Sequence, residues 1–551
     1  MILLTPLHSE SESHSSPHPT APSAASLPHR EKGVRGAIFA LALLSFAPST
    51  AHAALNIPIT VNLSESVNVT GTPQIAVDVG GTTRYATYTS GTGTNALTFT
   101  LAPQAGDVDL DGVTVSSPIQ LNGGTIKDSK GNNATLTFTP PNTANVKVNY
   151  PSLGMDFVYD ADGRYTLNGT PYNDLSSFLT AAGGSFTRAS IGTYYDSTGT
   201  LQTAASGAPR FDYDPVTHAA KGILIEESRT NLLTYSALSS ISGTGWSGSN
   251  TSIMTINNPG SLPVGTSACI RDEVNAGQVN GYITKSLVLS PSTVYTFSIW
   301  VYVPSSVPAG KAYLSAWYSN GGWQTISSQA TVERDQWVRK SLTFTTNATY
   351  TTTIVGAGVS GASAGLQTYA CLAQLELGRF PTSYIPTTTA SVTRAADTLT
   401  MPTGTWYHGS MGTVAAQASL PYLGGTTYPR VMALSDDTAN NRISLLIGDG
   451  DIDQIYAQIH AANVQSLGAI FSVYVPNTPI KLGIAYKPND AIAASSGVLS
   501  SANTSAVIPS MNTFAMGTFS PSIPRYLNGN IQKIKYYPAR VANTQLQLLT
   551  Q

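Results

Sequence analysis

Charge is the scarcest property of this 551-residue chain: 11% of its residues are Asp, Glu, Lys or Arg, against roughly a quarter in an ordinary soluble domain. The formal net charge is −2 and no long basic run occurs. That excludes the concentrated positive footprint a nucleic-acid partner requires. Cysteine is almost missing, with only Cys269 and Cys371 present. No zinc-type His/Cys spacing, phosphate loop or strand-to-helix Gly-x-Ser-x-Gly elbow stands out. Long apolar runs are lacking too, so no transmembrane segment is expected in the mature chain.

Thr, Ser, Gly and Asn fill the space that charge leaves. These residues favour strands and turns over helix interiors. A chain of this length has a prior of three or four domains. The expectation is an all-β protein of tandem β-sandwiches.

The one strongly apolar stretch, residues 37–46 (AIFALALLSF), follows Lys32 and Arg35 and precedes Ala51-His52-Ala53. A basic flank, a short apolar core and small residues at −3 and −1 describe a secretory signal, with cleavage after Ala53. The expected location is therefore secreted or at the cell surface. The Ser/His/Pro-rich residues 1–29 make the leading region long, as a misplaced start would. The alternative is an apolar strand of a folded domain. In an exported chain the two cysteines can pair, closing a loop of about 100 residues and stabilising by roughly 4–5 kcal/mol. They can equally be two buried thiols.

Residues 55–148 read as a sandwich, with short alternating runs at 58–63, 74–79, 84–89 and 96–101. Within it lies Asp107-Val108-Asp109-Leu110-Asp111-Gly112. Carboxylates at alternate positions before a Gly resemble the first half of a calcium loop. Pro118 stands where the bidentate Glu would be, so this is no EF-hand. Asp128 is the residue that could complete a Ca2+ site; the alternative is a solvated Asp-rich turn.

Aromatic residues supply the candidate binding surface. In residues 295–303, Tyr295, Phe297, Ile299, Val301 and Val303 share one face, and Thr296, Ser298, Trp300 and Tyr302 the other. The first set is the better core face. In the next run Tyr313, Ser315 and Trp317 share a face, and Trp323 follows a Ser-Asn-Gly-Gly turn. Rings with one apolar face suit sugars, and neighbouring Ser and Asn suit hydroxyls. Trp300, Tyr302, Trp317 and Trp323 are the expected glycan platform. The competing reading packs these rings beneath a loop or a neighbouring domain. Trp337 is read as core.

Catalytic readings find less support. A retaining glycosidase needs two carboxyls about 5–5.5 Å apart. The nearest run, Asp449-Gly450-Asp451-Ile452-Asp453, lacks Glu and reads as a loop. Glu226, Glu227 and Arg229 read better as an ion-paired strand end fastening one domain to the next than as an acid/base cluster. His408 reads as a packed or solvated side chain.

Several strings also carry family resemblances. The stretch YTSGTGTNALTFTLAPQAGDVDLDGVTV with LNGGTIKDSKGNNATLTF resembles bacterial Ig-like modules of surface proteins. Phe186-Thr187-Arg188, PRFDYDP at 209–215 and GILIEESRTN at 222–231 look like the segment of phage tail-fibre and head-spike-like proteins that precedes a carbohydrate-binding-like jelly roll. QLELGRFPTSYIPTTTASVTRAAD resembles the close of that jelly roll, and NGNIQKIKYYPARVANTQLQLLT resembles the end of a concanavalin A-like or laminin-G sandwich. The resemblances imply an Ig-like unit at 55–148, a connecting segment at 150–235, a jelly roll at 236–386 and a concanavalin A-like sandwich at 397–551. Residues 155–167 could lend that last sandwich an early strand. The implied role is adhesion or receptor binding to a surface polysaccharide or glycoconjugate. A secreted polysaccharide-active hydrolase and a structural spacer are the alternatives. Fibre proteins of this kind are often trimers, which implies a homo-oligomer, although no heptad repeat supplies one.

Overall fold

The computed structural model describes residues 56–158, 163–256, 266–422, 428–449 and 452–551, together with the backbone of the short strand Ile38–Phe39. The expected signal cleavage site after Ala53 lies outside the described residues.

Alternation builds the N-terminal unit. Gln74–Val79 buries every second residue, and Leu97, Phe99 and Leu101 of Thr94–Leu101 turn inward beside Ile59 and Val61. One sheet runs Ile57–Thr70, Thr94–Leu101, Thr82–Ser90, Gln74–Val79 and Thr114–Val115, with Thr125–Asp128 on the far side of Ile57–Thr70.

The second sandwich is assembled from two distant stretches of chain. Its ten-stranded sheet places Leu153–Asp156 beside Gly529–Tyr537, with Leu153 opposite Tyr536, and then continues through Gly412–Ser419 and Ile480–Lys487. Ala220–Ile225 pairs with the same C-terminal strand, Ile223 opposite Ile531. The facing seven-stranded sheet runs from Ser185–Thr187 through Thr398–Pro402, Thr513–Met516, Arg430–Ser435, Arg442–Asp449 and Ile452–Ala461 to Val464–Val473. Leu153, Phe178, Ile223, Ile443, Ile484 and Tyr536 are buried in one shared core. The segment at 150–235, expected as a connector, supplies six short strands to the sandwich that the C-terminal residues complete. A helix, Leu175–Ala182, covers part of this core. Asp174 caps it by accepting from the Ser177 amide at 2.8 Å, and Gly183 ends it at φ 69°.

The third unit is inserted between those stretches. Arg229–Asn231 pairs antiparallel with Val392–Arg394 as a two-stranded neck. Beyond it stand two five-stranded sheets. One is ordered Trp246–Ser249, Asn280–Val288, Thr352–Ser360, Ala312–Ser319, Trp323–Ala330. The other is ordered Thr251–Ile256, Cys269–Val274, Gln367–Leu377, Val294–Tyr302, Trp337–Thr345. Phe297, Ile299 and Val301 face Leu314, Ala316, Val355 and Ala357 between them, as the alternation of residues 295–303 requires. The architecture is all-β, in tandem β-sandwiches.

A buried ion cluster fastens the inserted unit to the enclosing one. Arg188 and Arg210 hold the Asp397 carboxylate at 3.1 and 2.5 Å, while Arg210 and Arg394 hold Glu226 at 2.8 and 3.4 Å. All five side chains are buried. Burial alone would raise the Glu226 carboxyl. Arg394, Arg210 and the Ser383 hydrogen bonds outweigh it and bring it down to about 2. Ser383 donates to Glu226 through its amide and hydroxyl at 2.7 and 2.6 Å, so the inserted unit's closing segment is tied into the cluster. Glu226 is a fastening residue. Its neighbour Glu227 pairs with Arg229 at 2.5 Å.

Candidate functional site

The outward face of the sheet that holds Trp317 is built by strand alternation. Leu314, Ala316, Ile283, Val355 and Ala357 enter the core, so Tyr313, Ser315, Trp317, Tyr282, Thr284, Gly356 and Gly358 point outward. The central strand sets Gly358 between Tyr282 and Tyr313, and Gly356 between Thr284 and Ser315. Two successive outward positions thus carry no side chain, giving a buried backbone floor over which the Tyr282 and Trp317 rings of the flanking strands meet. A Cβ at Gly356 would come within 2.4 Å of the Ile283 carbonyl oxygen, so the floor tolerates no larger residue without a shift.

Aromatic rings cover this floor. Tyr282 and Trp317 meet edge to face with centroids 5.1 Å apart, and Trp323 lies 5.1 Å from Trp317 at 41°. A register shift between Ala316 and Trp317 re-aims the Trp317 ring toward the edge strand. Trp317 is 7% exposed and therefore anchored, while Trp323 keeps 42% of its surface in solvent. The buried Ser315 and Thr284 hydroxyls on the same face are paired: Ser315 and Ser328 are 2.9 Å apart, and Thr284 reaches the Ser247 hydroxyl at 3.3 Å. Burial pushes the Tyr282 phenol up, which keeps it a neutral hydrogen-bonding group. An apolar ring edge beside uncharged hydroxyls suits a ligand with alternating C–H and O–H surfaces.

Trp300 and Tyr302 do not belong to this face, and the four-ring platform is corrected accordingly. Their strand lies in the opposite sheet, and the outward faces of two packed sheets point away from each other. Trp300 is 6% exposed. It is covered by the hairpin of Gly192–Tyr195 and Leu201–Ala204, with the Tyr195 ring 6.1 Å away. Tyr302 packs on Trp337 and Tyr369. Cys269 and Cys371 are bonded in the same cluster, with Cα atoms 5.0 Å apart. These rings join the inserted unit to the enclosing sandwich. Tyr282 was the residue missing from the sequence-based platform. Its outward position was available from the alternation of Asn280–Val288, where Ile283 turns in.

In the structure the acidic run at 107–111 forms a turn that docks on the C-terminal helix. Arg84 pairs with Asp107 at 2.6 Å. Asp109 accepts from the Gly80 and Gly112 amides at 2.7 and 2.8 Å. Gln545 of the C-terminal helix binds Asp111 and accepts from the Leu110 amide. Asp128 is occupied by Lys130 and Asn132 of its own turn. Among the described residues no group of three His, Cys, Asp or Glu side chains is placed to hold a metal ion. Asp449 and Ile452 end the two strands of a hairpin whose tip, Gly450 and Asp451, lies outside the described residues. His408 is exposed and its Nδ1 accepts from the Ser410 and Met411 amides, so it shapes a turn.

Among solved structures, the chain is similar to domain 4 of the extracellular arabinanase AbnA of Geobacillus stearothermophilus in complex with arabinotriose. Identity is 17%, covering 32% of this chain and 84% of that one, with a TM-score of 0.23. It is also similar to the sialidase CBM40 of Ruminococcus gnavus bound to sialyllactose, at 10% identity over 26% and 84% with a TM-score of 0.23. The tandem CBM22 domains of Paenibacillus barcinonensis Xyn10C match at 9% identity over 56% and 97%, again with a TM-score of 0.23. No curated protein matches. Residues 241–356 match the carbohydrate binding domain family, and that span contains Tyr282, Trp317 and Trp323.

Proposed function

We propose that this chain is an exported glycan-recognition protein of the adhesion or receptor-binding kind, which binds its ligand without cleaving it. The observation that carries this reading is the Tyr282–Trp317–Trp323 ring cluster, with Trp323 left exposed to solvent, within residues that match a carbohydrate binding domain. The site is small and uncharged, so it recognises neutral ring faces and hydroxyls of a surface polysaccharide or glycoconjugate. The enclosing sandwich holds the inserted unit through the ion cluster and the Trp300 contacts, and so presents the Trp323 ring at a fixed orientation.

Glycan-array binding by the full chain tests this reading, with Trp323→Ala as the paired variant. The exposed ring can be removed without opening a core. A binder should weaken about tenfold, equivalent to about 1.4 kcal/mol. Arrays with no reproducible hit, or hits unchanged in the variant, would end the reading. Sugar release from an array-positive polysaccharide would contradict its binding-only part.

A further inference from the structure

A cavity lies on the outward face of the enclosing sandwich. Ile443, Leu445, Ile447, Ile455, Ala457 and Ile459 turn into the core, which sends Arg442, Leu446, Tyr456, Gln458 and His460 outward. The strand register sets Arg442 opposite His460, and Leu446 opposite both Tyr456 and Arg430. With Tyr428, Phe519 and Arg525 they line a cavity of about 460 Å3, within the range of roughly 300–1,000 Å3 common for small-ligand sites.

The charge of this lining is one-sided. Among the described residues that line it, three are arginine and none is Asp or Glu, in a chain where charge is scarce. Two of the arginines lie against aromatic rings. The Arg430 guanidinium lies over the Phe519 ring and donates to the Tyr428 carbonyl at 3.0 Å. Arg525 stands over the Tyr428 ring at 5.8 Å. Arg442 donates to the Ala439 carbonyl, while its Nε and the His460 Nδ1 are buried without a hydrogen-bond partner. Burial, then Arg442 and Arg430, push His460 down to about 4, so at neutral pH it presents an uncharged ring. Guanidinium forks match oxyanions in plane, and the Tyr and Phe rings offer faces for an apolar ring surface.

We infer that this cavity binds an anionic sugar, a ring carrying a carboxylate or an ester oxyanion. The site is independent of the Trp317 face: it belongs to another unit, lies outside residues 241–356 and selects by charge. A chain with both sites would bind an acidic polysaccharide at two chemically different points.

Calorimetric titration of the full chain with oligogalacturonate, a sulfated oligosaccharide, a neutral xylo-oligosaccharide and inorganic phosphate tests the inference. At least one acidic oligosaccharide should bind, more weakly at high salt. Arg525→Ala and Arg442→Gln should each weaken that binding roughly ten- to hundredfold, and Trp323→Ala should leave it intact. The carboxylated and sulfated arms tell which oxyanion is preferred. Arg525 is exposed, so its variant decides the matter if Arg442→Gln fails to fold. The inference is overturned if neither acidic sugar binds, if Arg525→Ala binds as well as the parent, or if phosphate alone binds as tightly as the sugar.

Discussion

Asp272 is a carboxyl placed inside the inserted sandwich, and replacing it with Asn should make the protein more stable as pH rises. It points inward between Ile270 and Val274, and is 1% exposed. One oxygen accepts from the Thr368 hydroxyl at 2.6 Å, and the other has no partner. Burial outweighs that hydrogen bond and pushes the carboxyl up from 3.8 to about 7. Between those two values the folded chain keeps a proton that the unfolded chain releases. Stability is therefore fully present below the unfolded value, and is lost as pH rises toward 7. About three units at 1.36 kcal/mol each make the loss on the order of 4 kcal/mol. Asn keeps the acceptor for Thr368 and cannot ionise. Scanning calorimetry of the full chain should show Asp272→Asn and parent nearly equal at about pH 4. The variant's advantage should grow to a plateau near neutrality. A difference that does not vary with pH, or a variant less stable at neutral pH, would refute the argument.

Glu226→Gln should destabilise by about 3–5 kcal/mol, because three buried guanidiniums would share one remaining carboxylate; chemical denaturation of the full chain measures it. Glu226 itself contributes above its ordinary carboxylate range, and that contribution is lost as pH falls toward about 2. Reducing Cys269–Cys371, separated by 102 residues, should cost about 4–5 kcal/mol in the chain-entropy model. Melting with and without reductant reads this directly, and an unchanged transition would mean the bond does not contribute.

The strands were more legible than their partners. Residues 295–303 alternate so cleanly that their core face could be assigned from the chain alone, and the buried set of Tyr295, Phe297, Ile299 and Val301 agrees. The same pattern could not say which sheet an outward face belongs to, so Trp300 and Trp317 were grouped although their sheets face opposite ways. The insertion was equally hidden. Leu153 pairs with Tyr536 across most of the chain, and a local pattern carries no register between strands so far apart. Glu226 was readable as an ion-paired strand end, yet its partners Arg210 and Arg394 come from separate strings. The Arg442–His460 cavity left no sequence motif, because only strand pairing brings its cations together.

The most direct test of the central claim compares three proteins on one glycan ligand from the array. Parent, Trp323→Ala and Trp300→Phe would be titrated calorimetrically with that glycan. The account predicts that Trp323→Ala weakens binding about tenfold, while Trp300→Phe, buried beneath Tyr195, binds as the parent does. Loss of binding in Trp300→Phe with an unchanged melting transition, alongside full binding by Trp323→Ala, would contradict it.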